Sequence, residues 1–459
     1  MRFQTVHTPT SLTEGPISQA LISFALPLLL GNLFQQLYNT ADSLIVGNFL
    51  GSEALAAVSS SGNLIFLMVG LVNGVSMGAG VVIARYFGAK DYDRMQKTIH
   101  TLLAFGLVAG ALLTVVGVAL SPVMLRLMDT PETVLPNSIS YFRTYFTGSL
   151  AFVLYNICMG FLQAVGDSRH PLQYLIISSL VNVVLDLLFV GVFHMGVWSA
   201  AAATAISQLV SMALCLLRLM RSERAYRVSL RKIRFDRRAL LEILQNGLPA
   251  GLQSTVFSLS NVVIQSAINS FGSTVVAGNS AASNLEGFIY TGMNAFAQAA
   301  VTFTSQNVGA RRYDNLDRVM RNCLLCVTVA GLFLGCGAYF GGEVLLHFYS
   351  TDEAVVAAGL SRMQIICTAY FLCGIMDTLA SCLRGRGYSV IPMIVSLVGS
   401  CLLRLVWIAT IFRMFRSTGT LYISYPLSWA LTAGVHLICL LVVRKKMNDQ
   451  LKEESRLAT

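Results

Sequence analysis

Apolar residues in this sequence do not alternate with polar ones. They gather in long blocks separated by short connections that carry Gly, Pro or charge. The blocks fall at about residues 17–46, 54–84, 98–125, 136–165, 171–193, 196–217, 240–270, 274–306, 322–346, 354–383, 390–412 and 421–443. Ala54 to Ala84 and Leu421 to Val443 contain no Asp, Glu, Lys or Arg. A helix needs about 20 residues to cross the hydrocarbon of a bilayer, whereas a barrel strand needs about ten, in strict alternation. Only helices and closed barrels satisfy their own backbone groups in lipid. The pattern therefore predicts an all-α integral membrane protein with twelve transmembrane helices.

The longest polar connector, around residues 218–239, divides the blocks six and six. The halves superpose at an offset of 221 residues. Leu50-Gly51-Ser52 falls on Phe271-Gly272-Ser273, and Gly88-Ala89-Lys90 on Gly309-Ala310-Arg311. Asn63 falls on Asn284, Asn73 on Asn294, Gly166 on Gly387 and Pro171 on Pro392. Leu26-Pro27 meets Leu248-Pro249 after a one-residue slip. Shared Gly, Asn and Pro at one offset indicate duplication. Six is even, so the second half enters the bilayer in the same orientation as the first. Two parallel repeats with a central cleft are a transporter plan. The expected organisation is an N-lobe over 1–217, a basic cytoplasmic linker over 218–239, a C-lobe over 240–445 and a cytoplasmic tail over 446–459.

Composition agrees: 55% of the 459 residues are hydrophobic and 12% charged, against about 25% charged in soluble chains. The net charge of +10 could suggest nucleic acid, but its placement points elsewhere. Nine Lys or Arg against two acids lie between Arg218 and Arg238, and further basic clusters follow every second block. That is the positive-inside bias, which puts both termini in the cytoplasm and leaves no call for a nucleic-acid partner. Cys323 and Cys326 form a CxxC inside a predicted span, with no second pair or nearby His, and read as small apolar packing. The first apolar block is too long for a cleavable signal.

An ionisable side chain deep in a bilayer costs several kcal/mol and needs a partner, a cavity or a function. Away from segment ends the sequence offers Asp42, Asp186, Glu286, Asp377 and Arg404. Asp42 shares a helical stripe with Gln35 and Asn39, and Asn182 lies one turn from Asp186. Desolvation favours the protonated form of a carboxylic acid, so intramembrane acids can carry protons near neutral pH. Arg404 could pair with Glu286 or Asp377 and make that region structural. Asn63, Asn73, Asn284 and Asn294 read as packing amides. The duplication supplies a control: Asp42 falls on Val263 or Ile264, and Asp186 on Trp407. Acids required by the fold would recur in both halves. These occur in one, which points to a specialised N-lobe role.

At this point the residues resemble the multidrug and toxic compound extrusion (MATE) transporters over nearly the whole chain. The resemblance rests on Ala25-Leu26-Pro27, on Asp42 followed by Gly47 and Leu50-Gly51-Ser52-Glu53-Ala54-Leu55-Ala56-Ala57-Val58, on Gly160-Phe161-Leu162-Gln163-Ala164-Val165-Gly166-Asp167, and on Leu383-Arg384-Gly385. Within the family the chain looks most like the bacterial DinF and MepA-like branch. The resemblance implies an N-lobe cation-coupling site of Asp42, Asn156, Asn182, Asp186 and Thr204. Such oxygens can share a proton or hold Na+, a hard cation. The Na+-driven branch pairs a helix-seven Glu with a helix-ten Asp. Here Asp377 is present but the helix-seven position is Phe257, which favours H+ over Na+.

The expected function is a cation-coupled antiporter that exports amphipathic organic cations or drugs by alternating access. Gln35, Asn39, Glu286, Asp377 and Arg404 are the candidate substrate or C-lobe polar residues. Pro27 removes a backbone hydrogen bond and is the candidate hinge. No resident metal and no cofactor is expected, only the coupling ion, in a monomer of the bacterial inner membrane. A lipid-linked oligosaccharide flippase of the same superfamily should need several cavity-facing Arg or Lys, and only Arg404 is central in the sequence. A membrane scaffold or intramembrane enzyme is the other alternative. No HExxH, nucleophile elbow or phosphate loop appears, so an enzyme is not expected.

Overall fold

In the computed structural model, described residues are 12–50, 52–127 and 132–457, excluding the side chains of 43–44, 47–48, 52–57, 59–64, 66–69, 454–455 and 457. Gly51 and the Asn63 amide, both used above, lie outside them, as do residues 1–11 and 458–459.

The described chain is helical, with no strand among these residues. Helices occupy each of the twelve expected blocks. In the first half they are α1 (Ile17–Leu50), α2 (Ser52–Gly88), α3 (Tyr92–Leu127), α4a (Leu135–Thr147) with α4b (Ser149–Ala164), α5 (Arg169–Asp186) and α6 (Trp198–Arg221). In the second they are α7 (Arg237–Asn269), α8 (Ser273–Gly309), α9 (Tyr313–Phe340), α10a (Glu353–Ile366) with α10b (Phe371–Gly385), α11 (Val390–Ser396, continuing to Met414) and α12 (Thr418–Leu457). Among the described residues eight helices are long and apolar enough to cross a membrane, and the two bent pairs, α4 and α10, bring the number to ten. The remaining two, α7 and α8, are 33 and 37 residues long but more polar. Their polar residues have a destination, given below.

The duplication seen in the sequence extends to the backbone. The bends of α4 and α10 are 50° and 47°, and they fall at matching repeat positions. Lys90 and Arg311, 221 residues apart, both take a left-handed φ of 56°. Gly166 and Gly387, also a repeat pair, take 90° and 91°. A left-handed conformation is strained for a residue with a Cβ, so its recurrence at Lys90 and Arg311 marks an inherited turn. Each half also widens one helix by a π-helical stretch: Leu187–Val192 directly after Asp186, and Leu397–Leu402 just before Arg404. Such stretches often accompany functional residues.

By internal contacts the chain forms two compact units: residues 1–15, 22–251 and 309–311, and residues 16–21, 252–308 and 312–459. In the first unit, Val75, Ile83, Met95, Ile99, Ile157 and Phe161 form a buried apolar core. Small residues let helix backbones approach where lipid offers no hydrophobic drive to pack. A Cβ on Gly110 would press on Leu150, and one on Gly74 or Gly78 of α2 would run into the Gly251 or Gly247 backbone. The connector after α6 packs on this core through buried Tyr226 and Val228. His100 Nε2 accepts from Ser229 N at 3.2 Å, Thr101 Oγ1 accepts from Asp236 N at 3.0 Å, and Gln96 Nε2 donates to the Arg227 carbonyl at 3.1 Å. It is a strap sewn to the start of α3.

Pro27 lies inside α1, which runs uninterrupted from Ile17 to Leu50. Pro249 occupies the corresponding place inside α7.

Candidate functional site

In the first unit, three helices bring five polar side chains to a common point. Helix α1 carries Tyr38 and Asp42 one turn apart, α5 carries Asn182 and Asp186 one turn apart, and α6 supplies Thr204. Asn182 and Asp186 have no exposed surface. Asn182 Nδ2 donates to Thr204 Oγ1 at 3.4 Å, the Tyr38 hydroxyl donates to the same oxygen at 3.4 Å, and the Thr204 hydroxyl donates to the Ala200 carbonyl at 3.1 Å. The Asp42 and Asp186 carboxyls lie close enough to interact with each other.

No N–H and no other residue's hydroxyl among the described residues reaches Asp42 Oδ1, Asn182 Oδ1 or either oxygen of Asp186. Four buried acceptors therefore lack donors, where buried acceptors are normally satisfied. Acceptors without donors suit a cation or a proton. One helical turn farther along, Val46 of α1, Val190 in the π-helical stretch after α5, and Ala200 of α6 pack with Tyr141, Val197 and Ala201. This apolar plug closes the acids off at one end.

The remaining N-half candidates stand apart from this group. Asn156 of α4b donates to the Phe152 carbonyl of its own helix at 2.8 Å, and no hydrogen bond among the described residues joins it to Asp42 or Asp186. Gln35 Nε2 and Asn39 Oδ1 pair with each other at 3.5 Å on an exposed part of α1. The stripe that the sequence drew through Gln35, Asn39 and Asp42 is thus divided. Asp42 joins Tyr38 inward, and Asn39 faces outward.

The second unit holds a different arrangement. A cavity of about 330 Å³ is lined by Gln265 of α7, Asn279, Glu286 and Tyr290 of α8, Arg362 of α10a and Tyr425 of α12, among others. Of the polar residues of α7 and α8, Asn261, Gln265, Asn279, Ser283 and Glu286 line this cavity. Arg362 grips Glu286 with two hydrogen bonds, Nε to Oε1 at 2.8 Å and Nη2 to Oε2 at 2.7 Å, and reaches Asn279 Oδ1 at 2.6 Å. Asn279 and Glu286 are seven residues apart, on one face of α8, so one guanidinium fork meets both.

This corrects two sequence expectations. Arg404 is not the only arginine at depth, since Arg362 is 4% exposed. Nor does Arg404 pair with Glu286 or Asp377. Its Nε donates to Ser428 Oγ at 2.8 Å, and its guanidinium stacks 4.3 Å from the Tyr425 ring centroid. Glu286, with both oxygens held by Arg362, is not an open anchor for a cationic cargo. Asp377 interacts with Tyr290 and, electrostatically, with Arg384. Arg384 Nη2 in turn donates to Gln253 Oε1 at 2.6 Å. Along the sequence Arg362 lies near the start of its apolar block, where a charge reads as a surface residue. The i, i+7 spacing of Asn279 and Glu286 was the signal that a fork-shaped partner was needed.

The MatE family model matches the chain twice, over residues 27–188 and 249–410. The chain is 27% identical to the probable multidrug resistance protein YoeA of Bacillus subtilis (strain 168), over 84% of this chain and 85% of that protein. It is 21% identical to the multidrug export protein MepA of Staphylococcus aureus (strain bovine RF122 / ET3-1), over 84% and 86%. A solved MATE structure in complex with MaL6 superposes with a TM-score of 0.91 at 21% identity, covering 97% of this chain and all of that one.

Proposed function

The chain belongs to the MatE family of multi-pass membrane transporters, and on that premise we propose that it is a cation-coupled antiporter exporting amphipathic drug-like molecules with a cationic group. The observation that carries this reading is the buried Asp42–Asp186 pair with its donorless oxygens. A resident salt bridge would need a Lys or Arg beside it. A transported cation needs what is present instead, acceptors that are empty part of the time.

Protonation from outside would neutralise the pair, weaken its attraction for an organic cation and favour release outward. Reorientation by alternating access would then deliver the proton to the cytoplasm. Proton is the preferred ion, because Phe257 stands where a sodium-driven relative is expected to carry an acid. Asp42, Asn182, Asp186 and Thr204 hold the ion in this reading, and Asn156 would act at a distance. Pro27 allows α1 to bend when the pair changes charge. The names of YoeA and MepA support a drug-like cargo. Positive-inside placement supports cytoplasmic termini in a bacterial inner membrane, and each chain would act as a monomer without a cofactor.

The test is reconstitution in liposomes with imposed proton or sodium gradients. Wild-type protein should exchange a fluorescent organic cation for protons, and Asp42→Asn protein should not. Normal proton-driven exchange by Asp42→Asn would overturn the assignment, and exchange driven only by sodium would overturn the choice of ion.

A further inference from the structure

Helices α5 and α6 of the first unit share a line of polar side chains that continues past the acid pair. The Asn182–Thr204 hydrogen bond sets the register of the two helices at one end. The electrostatic contact of Asp167 with Arg218 sets it at the other. Between these points the buried face of α5 carries Ser178, and that of α6 carries Ser207, Ser211 and Cys215. Four residues along each helix from the Asn182–Thr204 bond, Ser178 comes opposite Gln208, and Ser211 and Cys215 follow on the next turns of α6. From Thr204 to Arg218 the line runs about 21 Å, at 1.5 Å per helical residue.

Polar atoms along this line lack protein partners. Gln208 Oε1, Ser211 Oγ and the Tyr155 hydroxyl are buried and make no hydrogen bond among the described residues. Ser211 has no exposed surface, and Tyr155 of α4b, 3% exposed, packs with Cys215 in one core. Successive turns of a helix lie about 5.4 Å apart, a gap that one water spans with two hydrogen bonds. Buried polar atoms without protein partners are normally met by ordered water. The line ends at solvent, where the Asp167 and His170 side chains are 14% and 32% exposed and Arg218 is exposed. The second half is a control. Ser428, Thr432 and His436 stand at the repeat positions of Ser207, Ser211 and Cys215, and each bonds across to α11, with Arg404 at 2.8 Å, Ser400 at 3.4 Å and Ser396 at 3.5 Å. That seam is closed by its own side chains.

We infer that the α5–α6 seam is a hydrated proton exit, leading from the Asp42–Asp186 pair to the side of the basic connector at Asp167 and His170. Positive-inside placement makes that side cytoplasmic. The inference rests on the export reading for the origin of the proton, whereas hydration of the seam stands without it. One carboxyl gives its proton to the nearest water, each water passes one proton on, and the last releases it to solvent beside His170. The acid pair returns to its charged form, and no other reactant is consumed. Gln208, Ser211 and Tyr155 are positioning residues: they hold the waters and neither gain nor lose a proton overall.

Two measurements on the full-length protein test this. In the first, X-ray pulses generate hydroxyl radicals from water in place around the protein in detergent, and oxidised residues are found by mass spectrometry. Cys215 and Tyr155 should be oxidised despite their burial, and Cys323, as buried as Cys215 but in the second unit, should not. Unlabelled Cys215 and Tyr155 would overturn the proposal. The second measurement is proton-driven exchange of a fluorescent organic cation in liposomes. Ser211→Leu, which fills the seam, should suppress the labelling and slow exchange by more than about tenfold. Its affinity for the dye without a gradient should stay within about twofold of wild type. Ser211→Ala leaves room for water and should keep exchange within about threefold. Normal exchange by Ser211→Leu would overturn the route, as would equal losses in the Ala and Leu variants. If Ser211→Leu fails to fold, Gln208→Leu is read by the same outcomes. The two readings fail separately. A labelled seam in wild type without proton exchange defeats the coupling and the route together, whereas normal exchange with a dry seam defeats the route alone.

Discussion

The two halves answer the same problem, carboxylates at depth, in opposite ways. In the first half Asp42 and Asp186 face each other, and several of their oxygens have no donor. In the second half both oxygens of Glu286 are held by Arg362. The backbones repeat down to the left-handed turn at Lys90 and Arg311, so the scaffold does not impose the difference. It comes from substitution on a common frame. Carboxyls left without cations can change protonation state as the protein works, whereas a carboxylate locked to a guanidinium holds one charge state. On the proposed reading the first half changes its charge during transport, whereas the Glu286–Arg362 pair keeps its own.

The largest test of this contrast exchanges the two kinds of acid. Asp186→Asn should lower proton-driven exchange in liposomes by more than about tenfold, the scale of losing a charged ligand worth a few kcal/mol. Its thermal stability in detergent should change little. In the second half the effect should fall on stability. Arg362→Met strands Glu286 as a buried unpaired charge and should cost about 3–5 kcal/mol, read as a lowered melting temperature. Adding Glu286→Gln to Arg362→Met should restore most of the loss. If Asp186→Asn destabilised as strongly as Arg362→Met, the comparison would collapse.

A smaller test asks whether the halves are equivalent where they should be. Lys90→Gly and Arg311→Gly each relieve a left-handed residue, and each should raise stability by up to about 1 kcal/mol. Equal gains in denaturation experiments would support one inherited turn. The smallest effect concerns a feature confined to one half. Burial tends to raise the Asp167 carboxyl, but the His170 ring 2.6 Å away and its backbone N–H outweigh that and hold it below the usual range. A carboxyl depressed in the folded state contributes stability that is present above its unfolded value, and that is lost as pH falls through its folded value. The repeat partners are Tyr388 and Ile391, so the second half has no such pair. Wild type should therefore exceed His170→Ala by less than about 1 kcal/mol near pH 6. The margin should vanish as the pH falls through the folded carboxyl's own value, which lies below the usual aspartate range.

Much of the fold was legible because lipid simplifies the reading. A backbone surrounded by hydrocarbon must satisfy itself, so apolar length alone located the helices. The duplication was legible in Gly, Pro and Asn, whose roles are steric and survive divergence. The bends in α4 and α10 were not. Gly148 stands at the first, but residues 367–370 at the second contain neither Gly nor Pro, so packing sets that bend and no local residue announces it. At the first site, Asp42, Asn182 and Asp186 were legible as acids and amides without basic neighbours along their helices. The third dimension added Tyr38 and the apolar plug. At the second site Arg362 was missed because a charge near a segment end reads as a surface charge. The chain turns it inward to meet α8, a contact that no spacing along α10 records.

The strap after α6 has a practical consequence. By charge and length it is the obvious place to open the gene, for a fluorescent reporter or for expressing the halves as separate fragments. Yet Tyr226 and Val228 are buried there, and Ser229 and Asp236 donate backbone hydrogen bonds to α3. Tolerance to insertion follows burial and backbone bonding more than polarity. A reporter placed among residues 226–236 would unpick the first half, whereas one at Ser222 or Glu223, ahead of the stitched portion, leaves those anchors in place.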